Sequence, residues 1–335
     1  MAVENSSEWL AADSSQRRLD FLAWHGLAAL WCRRFAGRSD DPEAPVVVRD
    51  FLLSELRSAS AMYLAQGSAI QNVVSSFEQA NLEFALLKGA AIREEIYVEP
   101  ATRVATDIDI LVRPIDRTLA ANILESLGFV CFPDQGLHGH EATFSRGKIH
   151  IDMHWDILRP ERTRRPLVNS LLANRVRGNP TYRLCDADTI FMMLVHPAFA
   201  KYVCSPNMGL NRVIDFVLFA RSRIVNWAEV AKRIEESGLR TAAWCTLHWI
   251  SMLTPITEIV PVSFVMSIRP GAIRRAYLQR WLVHDWPGRM LNRADTLIQI
   301  AFTLPLHDMP SDMWRAAIGR VKSTLGRNHS VGHRE

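Results

Sequence analysis

The sequence predicts an α+β protein: a small mixed sheet core, helices before it and a helical domain after it. Three observations carry that prediction. Strand patterns cluster between residues 81 and 160 instead of alternating with helices along the chain. Residues 8–80 read mainly as helix, with Arg49–Glu78 placing apolar side chains at helical spacing. From Asp186 onward nearly all of the chain has helical texture again, with breaks expected at Pro197, Pro206, Pro255, Pro261, Pro270, Pro287 and Pro305.

The expected units are an N-terminal helical region over 1–80, a core over 81–160, a C-terminal helical domain over 161–325 and a flexible tail over 326–335. Two units or more suit a chain of 335 residues, since one hydrophobic core seldom organises that many. In the first unit, Asp40–Pro45 (DDPEAP) is expected to be a loop between helices.

Within the core, Leu82–Leu87 is a short apolar run that ends at Lys88-Gly89, as a strand feeding a helix does. Ala90–Tyr97 is expected as helix and Val98–Val104, with Pro100, as loop. Asp107–Val112 (DIDILV) begins with the alternation of a half-buried strand. Ile115–Leu127 reads as helix closed by Gly128. Phe129–Phe132, Glu141–Ser145 and Lys148–Trp155 read as strands, the last two joined by a tight turn at Arg146-Gly147.

Composition narrows the class of protein. Apolar residues make up 48% and charged residues 22%, which places most of the chain among ordinary globular domains and excludes extended disorder. The net charge of +4 permits an anionic ligand. No element shows the clustered Lys/Arg of a dedicated nucleic-acid binder, and Arg162–Arg165 and the Arg315–Arg334 segment read as solvated surface. The five cysteines form no CxxC pair, so a zinc ribbon and a disulfide framework are both unsupported. The N-terminus, MAVENSSEWLAADSSQ, has no apolar core of a signal peptide. Thr241–Val260, the most apolar stretch, contains His248, Pro255 and Glu258 and reads as a buried helix rather than a membrane span. The expectation is a soluble, cytoplasmic protein.

The chemistry-bearing residues begin with Asp107-Ile108-Asp109. Residues two apart on a strand point to the same face, so both carboxylates project together while Ile108, Ile110 and Val112 turn to a core. Like charges on a half-buried strand are costly without a neutralising cation. Hard divalent ions prefer carboxylate oxygens, and a pair of them can clamp the attacking and leaving oxygens of phosphoryl or nucleotidyl transfer. His150-Ile151-Asp152-Met153-His154-Trp155 alternates too, with His150, Asp152 and His154 on one face. If that strand neighbours Asp107–Val112, Asp152 joins the pair, either completing a metal site or taking an acceptor's proton. The HxDxH pattern also allows a transition-metal site, but three carboxylates suit Mg²⁺ or Mn²⁺ better.

The turn Leu86-Leu87-Lys88-Gly89-Ala90-Ala91 supplies a third piece. A strand that enters a helix through glycine exposes backbone N–H groups at the helix N-terminus, a ready anion site. Lys88 stands beside it and Arg93 about one turn later, both able to meet phosphate oxygens. Arg103, four residues before Asp107, is a further cation nearby.

LLKGAAIREEIY, RVATDIDILV and HIDMHW together resemble the bacterial family known as uncharacterised nucleotidyltransferases, over about residues 60–250. Its members show an LKG turn, an arginine before a DhDhLV strand and a later hDhHW strand; His196 and Ile214-Asp215-Phe216 followed by Trp227 fit the helical part. The resemblance implies a DNA polymerase β-like nucleotidyltransferase core. Asp107 and Asp109 would hold two Mg²⁺ (or Mn²⁺) ions, and Asp152 would bind the catalytic one. The helix beginning at Gly89 would receive the triphosphate of an NTP substrate, with Lys88 and Arg103 on phosphates, and His154 belongs to the nucleotide-binding set. The wider superfamily carries Gly-Ser at this turn, whereas this chain has Gly89-Ala90, so triphosphate grip has to come from elsewhere or be weak.

The function so implied is transfer of a nucleoside monophosphate from an NTP to an unidentified hydroxyl or phosphate acceptor, with release of pyrophosphate. The acceptor would be a small molecule, peptide or protein, with no membrane partner and no nucleic acid expected. The alternatives are a non-catalytic nucleotide- or peptide-binding module on the same fold, or a phosphotransferase acting on a peptide or small molecule. Of the remaining residues, His196 and Asp215 read as a buried histidine and a partner or cap, although both could reach the site. Trp244, His248 and Trp249 read as core, and Trp281 with Trp286 as an exposed aromatic patch.

Overall fold

The central strands are apolar at nearly every position, as strands covered on both faces must be. Phe84–Leu87 (β1) and Ile108–Val112 (β2) are buried throughout, including Asp109. In a computed structural model, which describes residues 15–36, 46–132, 139–200, 203, 209–284 and 299–318, they lie side by side in one mixed sheet. Among the described residues the sheet has seven strands, in the order β3-β4-β5-β2-β1-β7-β6. The others are Val130–Cys131 (β3), Glu141–Arg146 (β4), Ile149–His154 (β5), Val176–Arg177 (β6) and Tyr182–Arg183 (β7).

Register fixes the site. β1 and β2 are antiparallel, with Leu87 opposite Asp109. β2 and β5 are parallel, with Asp109 opposite Asp152 and Leu111 opposite His154. β4 and β5 form a hairpin that sets Thr143 against Asp152 and Glu141 against His154. Its turn lies at Gly147-Lys148, one residue later than expected, and Gly147 takes φ +60°, a left-handed conformation that glycine adopts without strain.

The sheet also reaches past the boundary expected at residue 160, because β6 and β7 extend it beyond β1. These strands are two residues long, too short for a period-2 pattern to register.

Before the sheet come α1 (Ser15–Trp24), α2 (Ala28–Ala36) and α3 (Val46–Gln79), whose Ala69, Ile70, Val73 and Phe77 join the main core. α4 (Lys88–Ile96) follows β1 directly, and α5 (Arg117–Ser126) follows β2 after a 3-10 turn at Pro114–Asp116. After the hairpin come α6 (Val168–Ala173), α7 (Asp186–Ala200), α8 (Asn211–Ser222), α9 (Trp227–Ser237), α10 (Arg240–Leu253), α11 (Val262–Ile268) and α12 (Ala272–Val283).

Several expectations need correction. α7 is not broken at Pro197 but continues to Ala200; proline costs it one hydrogen bond within a helix buried along most of its length. Trp281 is no exposed patch, since it is buried against Phe302 with ring centroids 5.6 Å apart. Arg164 is not simply solvated, because it donates to Asp312 Oδ2 at 2.8 Å and so ties the segment after β5 to the C-terminal part. Trp244 and Trp249 are core, and no helix of the described residues is long and apolar enough to cross a membrane. The Asp40–Pro45 loop, Pro206, Trp286, Pro287 and the 326–335 tail lie outside the described residues.

His307 offers a test of this packing. It is buried beside the Phe199 ring, and burial, helped by Arg162, pushes its imidazole down to about 4 from an ordinary 6.5. A histidine whose folded value is depressed supplies stability above its unfolded value, and that stability is lost as pH falls through the window between the two. Between pH 6.5 and about 4 the wild type should therefore lose more stability than His307→Gln, by roughly 1.4 kcal/mol per pK unit of the shift. Parallel pH series of urea unfolding check this, and identical slopes would contradict it.

Candidate active site

Asp107 immediately precedes β2, Asp109 is on it and Asp152 on the next strand, so strand pairing alone brings the second and third carboxylates together. Among the described residues, one ligand atom each from Asp109, Asp152 and His154 lies within 4.8 Å of the others. Asp107, half-buried on the same face, is not one of that closest set. A second triple, His140, Glu141 and His154, meets the same distance limit beside it.

Each carboxylate is held by one oxygen. Lys88 Nζ pairs with Asp109 Oδ1, and His154 Nε2 meets the same atom at 2.8 Å. Burial alone would push Asp109 up, but the Lys88 ammonium and the His154 ring outweigh it and hold the carboxyl well below the usual carboxylate range. Asp152 accepts at Oδ1 from Thr143 Oγ1 at 2.7 Å. Burial pushes Asp152 up, with the like charges of Asp109 and Asp107 adding to it and the Thr143 bond opposing. Neighbouring carboxylates therefore differ, one pushed down by its cationic neighbours and the other pushed up by burial. The donor set fits a hard divalent cation, since Oδ2 of both Asp109 and Asp152 is left free of protein hydrogen bonds among the described residues.

His154 Nδ1 faces Glu141 Oε2 at 3.1 Å, so both ring nitrogens are spoken for and the ring plane is fixed. Its ring therefore bridges the Asp109 and Glu141 carboxylates. His150 lies further along β5, stacked on Phe132 with centroids 6.4 Å apart.

The turn into α4 is built around strain and close approach. Lys88 adopts φ +53°, uncommon for a side chain with a Cβ, and this backbone carries its ammonium onto Asp109. No side chain caps the α4 N-terminus. A Cβ on Gly89 would come 2.7 Å from Cζ of Arg103, so the position has to be glycine for that guanidinium to lie against the turn. Arg103 in turn grips Asp215 of α8 through two nitrogens, Nε donating to Oδ1 at 3.1 Å and Nη2 donating to Oδ2. Tyr97 donates to the same Oδ1 at 2.7 Å.

Arg93 corrects an expectation. Its guanidinium is buried against α3, donating to Gln66 Oε1 at 2.7 Å and lying 4.7 Å from the Tyr63 ring centre. It fastens α3 to the core and is covered from any ligand at the turn. Lys88, Gly89 and Arg103 are together at the turn.

A cleft of about 590 Å³, open mouth included, runs from Lys88 between α4, α7 and α8. Arg103, His196, Arg212 and Asp215 line it, with Met192 and Met193 among its apolar walls. His196 is buried, and burial followed by Lys88 and Arg212 pushes it well below the ordinary histidine value. Arg212, Thr143, Glu141 and His140 have no counterpart among the residues singled out from sequence.

A comparison with curated proteins finds no match. Among solved structures, the solution structure of the antibiotic-resistance factor ANT(2'')-Ia is similar at 14% identity, covering 55% of this chain and 96% of that chain with a TM-score of 0.38. A family model described as uncharacterised nucleotidyltransferase matches residues 12–255. That match takes in most of the chain, including the sheet, all three carboxylates and the cleft, and the chain therefore belongs to the uncharacterised nucleotidyltransferase family and is an enzyme of that class.

Proposed function

We propose that this enzyme transfers a nucleoside monophosphate from an NTP to a hydroxyl or phosphate acceptor, with Asp107, Asp109 and Asp152 as its metal-binding carboxylates. What supports this reading most is the parallel register of Asp109 with Asp152, which sets two differently tuned carboxylates side by side in front of a cationic turn. A bound Mg²⁺ or Mn²⁺ would supply Lewis-acid polarisation of phosphate oxygens and neutralise their charge.

The chain's own residues have separable duties. Lys88 and His154 keep Asp109 ionised and aligned. Thr143 fixes the rotamer of Asp152 by one oxygen, leaving Oδ2 for the metal ion or for the proton of an acceptor hydroxyl. The new bond joins the acceptor oxygen to the α-phosphorus, the α–β anhydride bond breaks, and pyrophosphate leaves with its electron pair. Lys88 and Arg103 line the cleft and would meet the departing charge, since such chemistry depends mainly on positioning and electrostatics.

The test is release of pyrophosphate from each of the four NTPs with Mg²⁺, against a panel of hydroxyl and phosphate acceptors. Acceptor-dependent pyrophosphate release with a matching adduct mass is expected. Release of inorganic phosphate with a phosphorylated acceptor would replace this reading with a phosphotransferase.

A further inference from the structure

Among the described residues, the buried arginines have partners. Arg93 has Gln66, Arg103 has Asp215, Arg183 has Glu95 and Asp186, and Arg233 has Asp188. That follows from the cost of taking a charge out of water without compensation. Arg212 does not belong to that buried set. It lines the cleft half-buried, and among the described residues its side chain makes no hydrogen bond or ion pair.

Its position follows from the bridge next to it. Arg212 and Asp215 are three residues apart in α8 and so share a face. The grip of Arg103 and Tyr97 on Asp215 holds that face against the α4 turn, and this aims Arg212 into the same cleft as Lys88. Among the cleft's cations, Lys88 is taken by Asp109 and Arg103 by Asp215, so one positive charge is left over. Arg212 is also within electrostatic reach of the site: burial and Arg103 push its guanidinium down, while Asp109, Asp215 and Asp107 pull it back. At the facing turn, the alanine at position 90 offers no hydroxyl to a phosphate.

We infer that Arg212 is the anion clamp for the triphosphate of the nucleotide, supplied by α8 across the cleft from Lys88. This rests on the NTP-dependent reading above and adds to it the residue that grips the phosphates. Arginine suits the duty because its planar fork meets two phosphate oxygens at once. The anion would remove the cost of holding an unpaired guanidinium there, so the cleft is built to be completed by its ligand.

The experiment is calorimetric titration of the full chain, wild type, Arg212→Met and Arg212→Lys, with each NTP and with inorganic tripolyphosphate, in Mg²⁺ and again in EDTA. Arg212→Met should weaken NTP and tripolyphosphate about 10- to 100-fold, the range of one charge-assisted hydrogen-bond pair. Arg212→Lys should recover part of it, and the unliganded melting temperature of both variants should be no lower than the wild type's, because no protein partner is lost. Wild-type NTP affinity in Arg212→Met would overturn the clamp and leave the nucleotide reading standing. Loss of tripolyphosphate binding alone, with NTP affinity intact, would assign Arg212 to a phosphate on the acceptor and also overturn the clamp. No NTP binding by the wild type would overturn the nucleotide reading itself, and the clamp with it.

Discussion

Asp152→Asn is expected to lower turnover by on the order of 10²–10³-fold, the usual cost of removing one preorganised electrostatic group from an active site. The same change should leave the fold as stable as the wild type or more so. Asp152 has a carboxyl pushed up by burial and by the charges of Asp109 and Asp107. A carboxyl with a raised folded value contributes stability below its unfolded value, near 3.9, and loses it as pH rises through the folded one. At neutral pH the ionised group is a burden on the fold that asparagine lifts, while Thr143 can still donate to the amide oxygen.

Asp109→Asn should be equally inactive but less stable, because Lys88 then loses its counter-charge. Steady-state kinetics beside urea unfolding at pH 7–8 separates the two. An Asp152→Asn enzyme with normal turnover would contradict the role given to that strand.

The largest effect on folding is expected at Asp215. Its carboxylate takes both ends of the Arg103 fork and the Tyr97 hydroxyl, and all three residues are buried. Asp215→Ala leaves an uncompensated guanidinium in the protein, for a loss of about 3–5 kcal/mol. Arg103→Met/Asp215→Leu should cost much less than that single change, since replacing both partners by apolar groups removes the unpaired charge. Because the bridge also positions Arg212, nucleotide affinity should fall in the double variant even where stability recovers. An Asp215→Ala protein that unfolds at the wild-type urea concentration would show that the bridge is incidental.

The carboxylates were legible in sequence because a strand's period of two is short and strict. Asp107, Asp109 and Asp152 announce their faces within six-residue stretches. More could have been read from the hairpin. With its turn at Gly147-Lys148, counting back pairs Thr143 with Asp152 and Glu141 with His154, the contacts that hold Asp152 and His154 in place.

Arg93 misled because its place one turn into the helix is correct but the direction it faces is set by α3, more than twenty residues away in sequence at Gln66. Arg212 gave no local signal at all. It stands out only beside the other cations of the cleft, Lys88 and Arg103, which have partners in the fold, and that is a property of tertiary packing. The strands at 176–183 are two-residue pieces, and their addition to the sheet beside β1, through β7, likewise comes from the fold and not from their own pattern.

The central claim is that a nucleotide and a divalent metal meet at the Asp107/Asp109 pair, and thermal stabilisation addresses it without knowledge of the acceptor. The wild type and Asp107→Asn/Asp109→Asn are melted with each NTP, with and without Mg²⁺. A ligand at 100 times its dissociation constant adds about 2.7 kcal/mol to stability, a readily measured shift. A Mg²⁺-dependent rise in the wild type that disappears in the double variant is the predicted result. An equal rise in both proteins, or none with any NTP, would contradict the claim.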